Sequence, residues 1–234
     1  DIVGRNLFPK INGYYVIDES YAIVPKITDN ISIDASKIKI DVEKEDELGN
    51  RTKIESNVIY SYYLEVNINK FQMGQKLILT TKICKDGENI CTSKSLKVRV
   101  DKKIKNIPFS DTEFLNNFST NAKVYNLSCY NLDKESNSAL KDGIDESTCL
   151  RPITTESYAS DVEVLKTRTL TSFGGLEYFS NLKFLHLDGR NVSDGQMGWA
   201  SKIRFNLTTH LNKLKRLQIF YTTIQSIQID KMHH

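Results

Sequence analysis

The chain has no uninterrupted apolar run of about 18 residues, so no segment reads as a membrane-crossing helix. It has no GxxxxGK phosphate loop, no GxGxxG fingerprint and no HExxH pair, which removes the commonest signatures of nucleotide- and zinc-dependent catalysis. An excess of one charge is also missing. The formal net charge is +3, and lysines alternate with acidic residues instead of forming a basic stripe that could follow a phosphate backbone. Nucleic acid is therefore excluded as an expected partner. With 11 glycines and 4 prolines among 234 residues, a collagen-like or low-complexity chain is excluded too. No basic and apolar leader precedes the first residues, which fits a mature chain or an excised fragment.

What is present is enough apolar sequence for one large domain or two small ones, with Ile, Leu, Val, Phe and Tyr spread over the whole length. The four cysteines, Cys84, Cys91, Cys129 and Cys149, allow three pairings. Cys84 and Cys91 flank a turn-forming loop between strand-like runs, so a bridge there would staple a hairpin. Cys129 and Cys149 would then close a loop of about 20 residues, a constraint of about 3 kcal/mol in the chain-entropy treatment. Reduced thiols or a zinc site are the alternatives, but zinc thiolates usually come in CxxC pairs and this chain has none. Disulfides imply an oxidising, extracellular setting, either secreted or at a cell surface. Asn-x-Ser/Thr triplets at Asn30, Asn50, Asn117, Asn126, Asn191 and Asn206 are compatible with glycosylation, although several arise by chance in an Asn-rich chain.

The organisation expected is α+β and multidomain. Residues 13–105 read as an N-terminal antiparallel β-sandwich of immunoglobulin-like type, built from six or seven short strands. Its clearest strand is 58–68, where Val58, Tyr60, Tyr62, Leu64, Val66 and Ile68 make one apolar face. Tyr63, on the other face, invites a carbohydrate-platform reading, whereas Tyr60 and Tyr62 are explained by the core. Residues 106–160 read as a linker followed by a partly helical, disulfide-bonded cap. There Ser110 and Glu113 have capping-box spacing ahead of Phe114, Leu115 and Phe118.

Residues 161–234 change character. Leu182, Leu185, Leu187 and Val192 follow an LxxLxL pattern, and Leu214, Leu217, Ile219 and Ile224 repeat its offsets. That spacing is the mark of a leucine-rich repeat, in which a short strand lines a horseshoe and neighbouring turns stack. The two repeats lie further apart than the usual spacing of about 20–29 residues, so 195–209 is expected to bulge out as an insertion anchored by Trp199, Ile203, Phe205 and Leu207. Strands 184–188 and 216–220 should then run parallel.

The run from Leu170 to Leu182, LTSFGGLEYFSNL, resembles a phrase common in secreted bacterial leucine-rich-repeat proteins of the internalin-like and BspA-like kinds. In those proteins a helical or calcium-binding-like cap often precedes the repeats, and immunoglobulin-like modules often sit beside them. The resemblance implies a cap and a partial leucine-rich-repeat solenoid after the sandwich, belonging to a longer surface protein. Attachment to a cell surface would rest with a region outside this chain.

Repeat geometry nominates contact residues. With the leucines pointing inward, Phe184, His186, Asp188, Arg216, Gln218 and Phe220 fall on the opposite, concave side. Aromatics and Arg are the anchors that protein interfaces favour. The bland alternative is that Phe184 and Phe220 pack under the insertion or against a neighbouring molecule. His186 and Asp188 share a strand face and are the nearest thing to a catalytic pair, but no nucleophile is specified beside them. No catalytic residue and no enzyme activity are therefore expected. Asp133, Glu135 and Asn137 have the alternate oxygen-ligand spacing that opens a calcium loop, yet Ser138 replaces the loop glycine and the closing Glu is missing. No cofactor is expected, with calcium at that loop the weak exception. The function expected is an extracellular protein that binds a protein or glycan ligand. A structural stalk is the second class weighed, and a hydrolase the third.

Overall fold

The computed structural model describes residues 2–4, 10–18, 21–25, 38–58, 64–66, 70–84, 91–168, 174–188, 200–207, 211–220 and 222–229. The chain divides into two compact units, Asp1–Asp101 and Lys102–His234. No helix among the described residues is long and apolar enough to cross a membrane.

In the first unit the strands are β1 (Ile2–Gly4), β2 (Lys10–Ile11), β3 (Tyr14–Ile17), β4 (Tyr21–Pro25), β5 (Ile38–Glu45), β6 (Arg51–Val58), β7 (Leu64–Val66), β8 (Lys76–Cys84) and β9 (Cys91–Val100). They form a three-stranded sheet, β1-β4-β7, and a six-stranded sheet in the order β2-β3-β9-β8-β5-β6. The first sheet is antiparallel, whereas in the second β3 runs parallel to β9. Alternation explains β5, where Ile38, Ile40 and Val42 point inward and Lys39 and Asp41 are not buried. Ile40 and Val42 join Ile17, Leu77, Leu79, Leu96, Val98 and Val100 in one core. The β5–β6 turn is set by Asp46, whose Oδ1 accepts the amides of Leu48 and Asn50 at 2.9 and 2.7 Å. Gly49 supplies the left-handed residue the turn needs, with φ +84°. Of the long strand expected over 58–68, Val58 ends β6 and 64–66 is β7, while 59–63, including Tyr60, Tyr62 and Tyr63, lie outside the described residues.

The second unit contains α1 (Thr112–Asn116), α2 (Phe118–Asn121), β10 (Ala122–Tyr125), β11 (Leu150–Arg151), β12 (Val164–Arg168), β13 (Phe184–Asp188), β14 (Ala200–Leu207), β15 (Arg216–Phe220) and β16 (Thr222–Ile229), with short 3-10 turns between. Helix α1 starts one residue later than the capping-box spacing predicts. Its N-cap is Asp111, whose carboxylate accepts the Phe114 amide at 2.9 Å. A five-stranded sheet runs β11-β10-β12-β13-β15. β10 is antiparallel to both its neighbours, while β12, β13 and β15 are mutually parallel. One face of this sheet carries Leu165, Leu185 and Leu187 into a core with Phe114, Phe118, Leu176, Phe179 and Leu182. β14 and β16 pair in parallel as a separate two-stranded sheet, so 200–207 is strand where an outward bulge was expected. Trp199 lies outside the described residues.

These arrangements correct the expected architecture. The protein is mostly β with few, short helices, and its two large sheets are both mixed. The first unit departs from an antiparallel immunoglobulin-like sandwich because β3 pairs with β9 in parallel. The second unit is not a leucine-rich-repeat solenoid. Its three parallel strands belong to a mixed sheet whose other members, β10 and β11, come from the stretch read as a separate cap. The physical reason is that LxxLxL specifies a strand with its leucines buried on one side. It does not specify that every neighbour is another copy of the same turn.

Candidate binding face on the mixed sheet

The face of the five-stranded sheet opposite the leucine core is built in rows. Val164, Phe184 and Arg216 stand side by side in the register, then Lys166, His186 and Gln218, then Arg168, Asp188 and Phe220. Residues two apart on a strand share a face, which is why these side chains gather here.

A lobe closed by the Cys129–Cys149 disulfide lies over the first row. Tyr130 bridges to Leu140, the Asn131 amide donates to Ala139 O at 2.8 Å, and the Lys141 amide donates to Cys129 O at 3.0 Å, which gives the lobe a hairpin-like base. Tyr125, Tyr130, Ala139 and Cys149 form a small core with Val164 and Phe184. The Tyr130 ring meets Phe184 edge-on, with centroids 5.5 Å apart. Arg216 holds the lobe down, its guanidinium donating to the backbone carbonyls of Lys134 (2.5 Å) and Ser136. Gln218 Nε2 donates to Asn137 O at 2.7 Å.

Three expected contact residues therefore have other work. Phe184 is 1% exposed and belongs to the core beneath the lobe, so its assignment as a ligand contact is corrected. The neighbours that bury it come from far away in sequence and leave no local mark at position 184. Arg216 is half-buried and engaged with the lobe's backbone. Gln218, half-buried too, is engaged with Asn137 O; of the rest, His186 and Asp188 are half-buried, and Phe220 is 37% exposed.

In the second row Lys166 Nζ pairs with Glu146 Oε1, the same oxygen that accepts the Tyr130 hydroxyl at 2.8 Å. Lys166 also sits over the rings of Tyr125 and Tyr130, 5.4 and 5.5 Å from their centroids. Burial works to raise the Glu146 pKa, but hydrogen bonds from Lys166 and Tyr130 outweigh it and hold the carboxyl below its usual range. Burial and the donation to Glu146 push the Tyr130 phenol well above its ordinary value.

His186 has its pKa lowered, first by burial and then by the Lys166 charge, against the opposing pull of Gln218, Asp188 and Glu146. The imidazole is thus neutral at pH 7. Because the Gln218 amide nitrogen donates to Asn137, its Oε1 is the acceptor towards His186 Nδ1, 3.4 Å away. This network assigns the proton to Nδ1 and leaves Nε2 as an acceptor. The His186 ring lies against Phe220, centroids 5.1 Å apart and planes 31° apart. The result is an aromatic surface with an imidazole and an amide at its side, next to a lysine–glutamate–tyrosine cluster.

Sequence reasoning missed Lys166, Glu146 and Tyr130. Lys166 had a signal, since it lies two residues after Val164, as His186 lies two after Phe184. Tyr130 and Glu146 had only their nearness to Cys129 and Cys149. Among the described residues no group of three or more His, Cys, Asp or Glu side chains could hold a metal ion. In the loop nominated for calcium, Asp133 and Glu135 are exposed, and Asn137 contributes its backbone carbonyl to Gln218. Cys91 is disulfide-bonded and stands opposite Cys84 in the β8–β9 register. No family model, curated protein or solved structure matches this chain.

Proposed function

We propose that this is an extracellular binding protein, secreted or displayed at a cell surface, which takes a protein or glycan ligand on the open part of the mixed-sheet face. The reading is of binding without catalysis, a cofactor or nucleic acid. The observation that carries it is the exposed Phe220 ring resting on a neutral His186 beside Gln218, at the edge strand of the sheet. An aromatic ring that is held in place yet accessible offers contact area at little entropic cost, and the adjacent imidazole and amide supply direction. The disulfides support the oxidising setting. The test is a glycan array and a protein pull-down with the intact chain, each repeated with Phe220→Ala. Loss of roughly tenfold or more in affinity is expected, as for a central interface anchor. Unchanged binding by the variant would remove the face from consideration.

A second reading, a structural stalk or spacer, is favoured by the engagement of Arg216 and Gln218 with the lobe's own carbonyls. It predicts that neither the array nor the pull-down yields a ligand sensitive to Phe220.

A further inference from the structure

A cleft of about 270 Å³ opens between the disulfide lobe and the N-terminal ends of β13 and β15. Lys141, Lys183 and Lys215 line it together with a single carboxylate, Asp133, and the half-buried side chains of Leu127 and Leu132. Lys183 and Lys215 are brought side by side by the sheet itself. The Lys183 amide donates to Glu163 O at 2.8 Å, and the Lys215 amide donates to Lys183 O at 2.9 Å, so the two residues occupy successive rungs. Adjacent parallel strands lie about 4.8 Å apart, so the two side chains leave the chain at neighbouring positions.

Several other lysines of this unit are matched with acids, while Lys102 lies over the Tyr178 ring and Lys213 donates to Asn181 Oδ1. Lys103 and Lys105 share Glu156, Lys134 pairs with Asp142, Lys166 with Glu146, and Lys183 itself with Glu163. Among the described residues no carboxylate pairs with Lys141 or Lys215. The chain thus places two unmatched ammonium groups at one cleft and leaves a single acid in its lining. Lysine acts as a mobile point charge, suited to sulfate, phosphate or carboxylate and undemanding of planar geometry. The space is ring-sized, close to the small end of the range of about 300–1,000 Å³ for ligand pockets, and larger than one acidic side chain requires. Leu127 and Leu132 offer an apolar wall to the C–H face of a sugar.

We propose that this cleft binds an anionic sugar unit, a sulfated or uronate-bearing residue of a glycan, through Lys141, Lys183 and Lys215. The site is separate from the Phe220 face, and either can fail while the other stands. The test is titration calorimetry on the intact chain with three probes: a sulfated, uronate-containing disaccharide, the neutral disaccharide N-acetylchitobiose, and hexaglutamate. The sulfated disaccharide should bind, weaken as salt is raised, and exceed the neutral one by roughly tenfold or more, as charge-assisted contacts require. The double substitution Lys141→Gln/Lys215→Gln should weaken it by at least about tenfold, while Phe220→Ala leaves it unchanged. Failure of the sulfated disaccharide to bind, or equal binding by the double variant, overturns the proposal. So does a Phe220→Ala loss as large as that of the lysine pair, and tighter binding of hexaglutamate overturns the sugar assignment. The circular dichroism spectrum and thermal midpoint of the double variant, unchanged if it folds, separate lost binding from lost structure.

Discussion

Replacing Phe184 by alanine distinguishes a core residue from a surface contact, because the same sheet face carries the exposed Phe220 two rows further along on the neighbouring strand. The Phe184 side chain is 1% exposed and packed against Tyr130 and the disulfide lobe. A buried phenylalanine removes about 150 Å² or more from water, which at about 25 cal/mol per Å² is close to 4 kcal/mol. Allowing for the methyl that remains, the loss is about 3 kcal/mol, at the lower end of the range of about 3–5 kcal/mol for Phe→Ala in cores. Because the chain has two units, a global transition would blur the effect. Native-state hydrogen exchange read by mass spectrometry reports the second unit directly. Amides of β13 should exchange roughly a hundredfold faster in Phe184→Ala. Phe220→Ala should alter them little, since half-exposed substitutions usually cost about 1 kcal/mol or less. If Phe184→Ala leaves β13 exchange unchanged while ligand binding falls, the burial argument is refuted and the lobe does not cover that row.

Substituting both Cys129 and Cys149 by alanine should cost about 3 kcal/mol and open the 131–141 stretch to limited proteolysis, with thermal denaturation and cleavage mapping as the readouts. Gly175→Ala should destabilise the second unit by about 2 kcal/mol or more in the same denaturation assay. Gly175 has φ +110°, and an added Cβ would meet Phe109 Cδ1 at 2.4 Å. His186, with its pKa lowered by burial and by Lys166, should titrate in an NMR experiment below the ordinary midpoint of about 6.5. The unfolded chain takes up that proton more readily, so the His186 contribution to stability is present above about pH 6.5 and is lost as the pH falls. A pH–stability profile of His186→Gln that falls as steeply as the parent's over this window would contradict that assignment.

Part of this structure is legible in the sequence. The alternation through Leu185 and Leu187 identifies their inward side, and the repeat of those offsets at Leu217 and Ile219 anticipates two strands side by side. The solenoid inferred from the same residues fails because the pattern constrains faces and leaves neighbours open, and antiparallel β10 takes the flank of β12. The state of Phe184 depends on a lobe fixed by Arg216 across 82 and 80 residues of sequence, to Lys134 and Ser136, and no local periodicity carries that information. Lys141 and Lys215 are likewise unremarkable until the fold brings both to one cleft.

Ligand binding by the second unit is proposed to centre on the sheet face at Phe220. The measurement that tests it most directly is the dissociation constant of the intact chain for the strongest array or pull-down ligand, compared across the parent, Phe220→Ala and Leu48→Ala. Leu48 is 88% exposed in the first unit and serves as the control for indiscriminate apolar contact. Weakening of about tenfold or more is expected for Phe220→Ala and none for Leu48→Ala. Equal affinity in all three proteins, equal loss in both variants, or no ligand from either screen would contradict it.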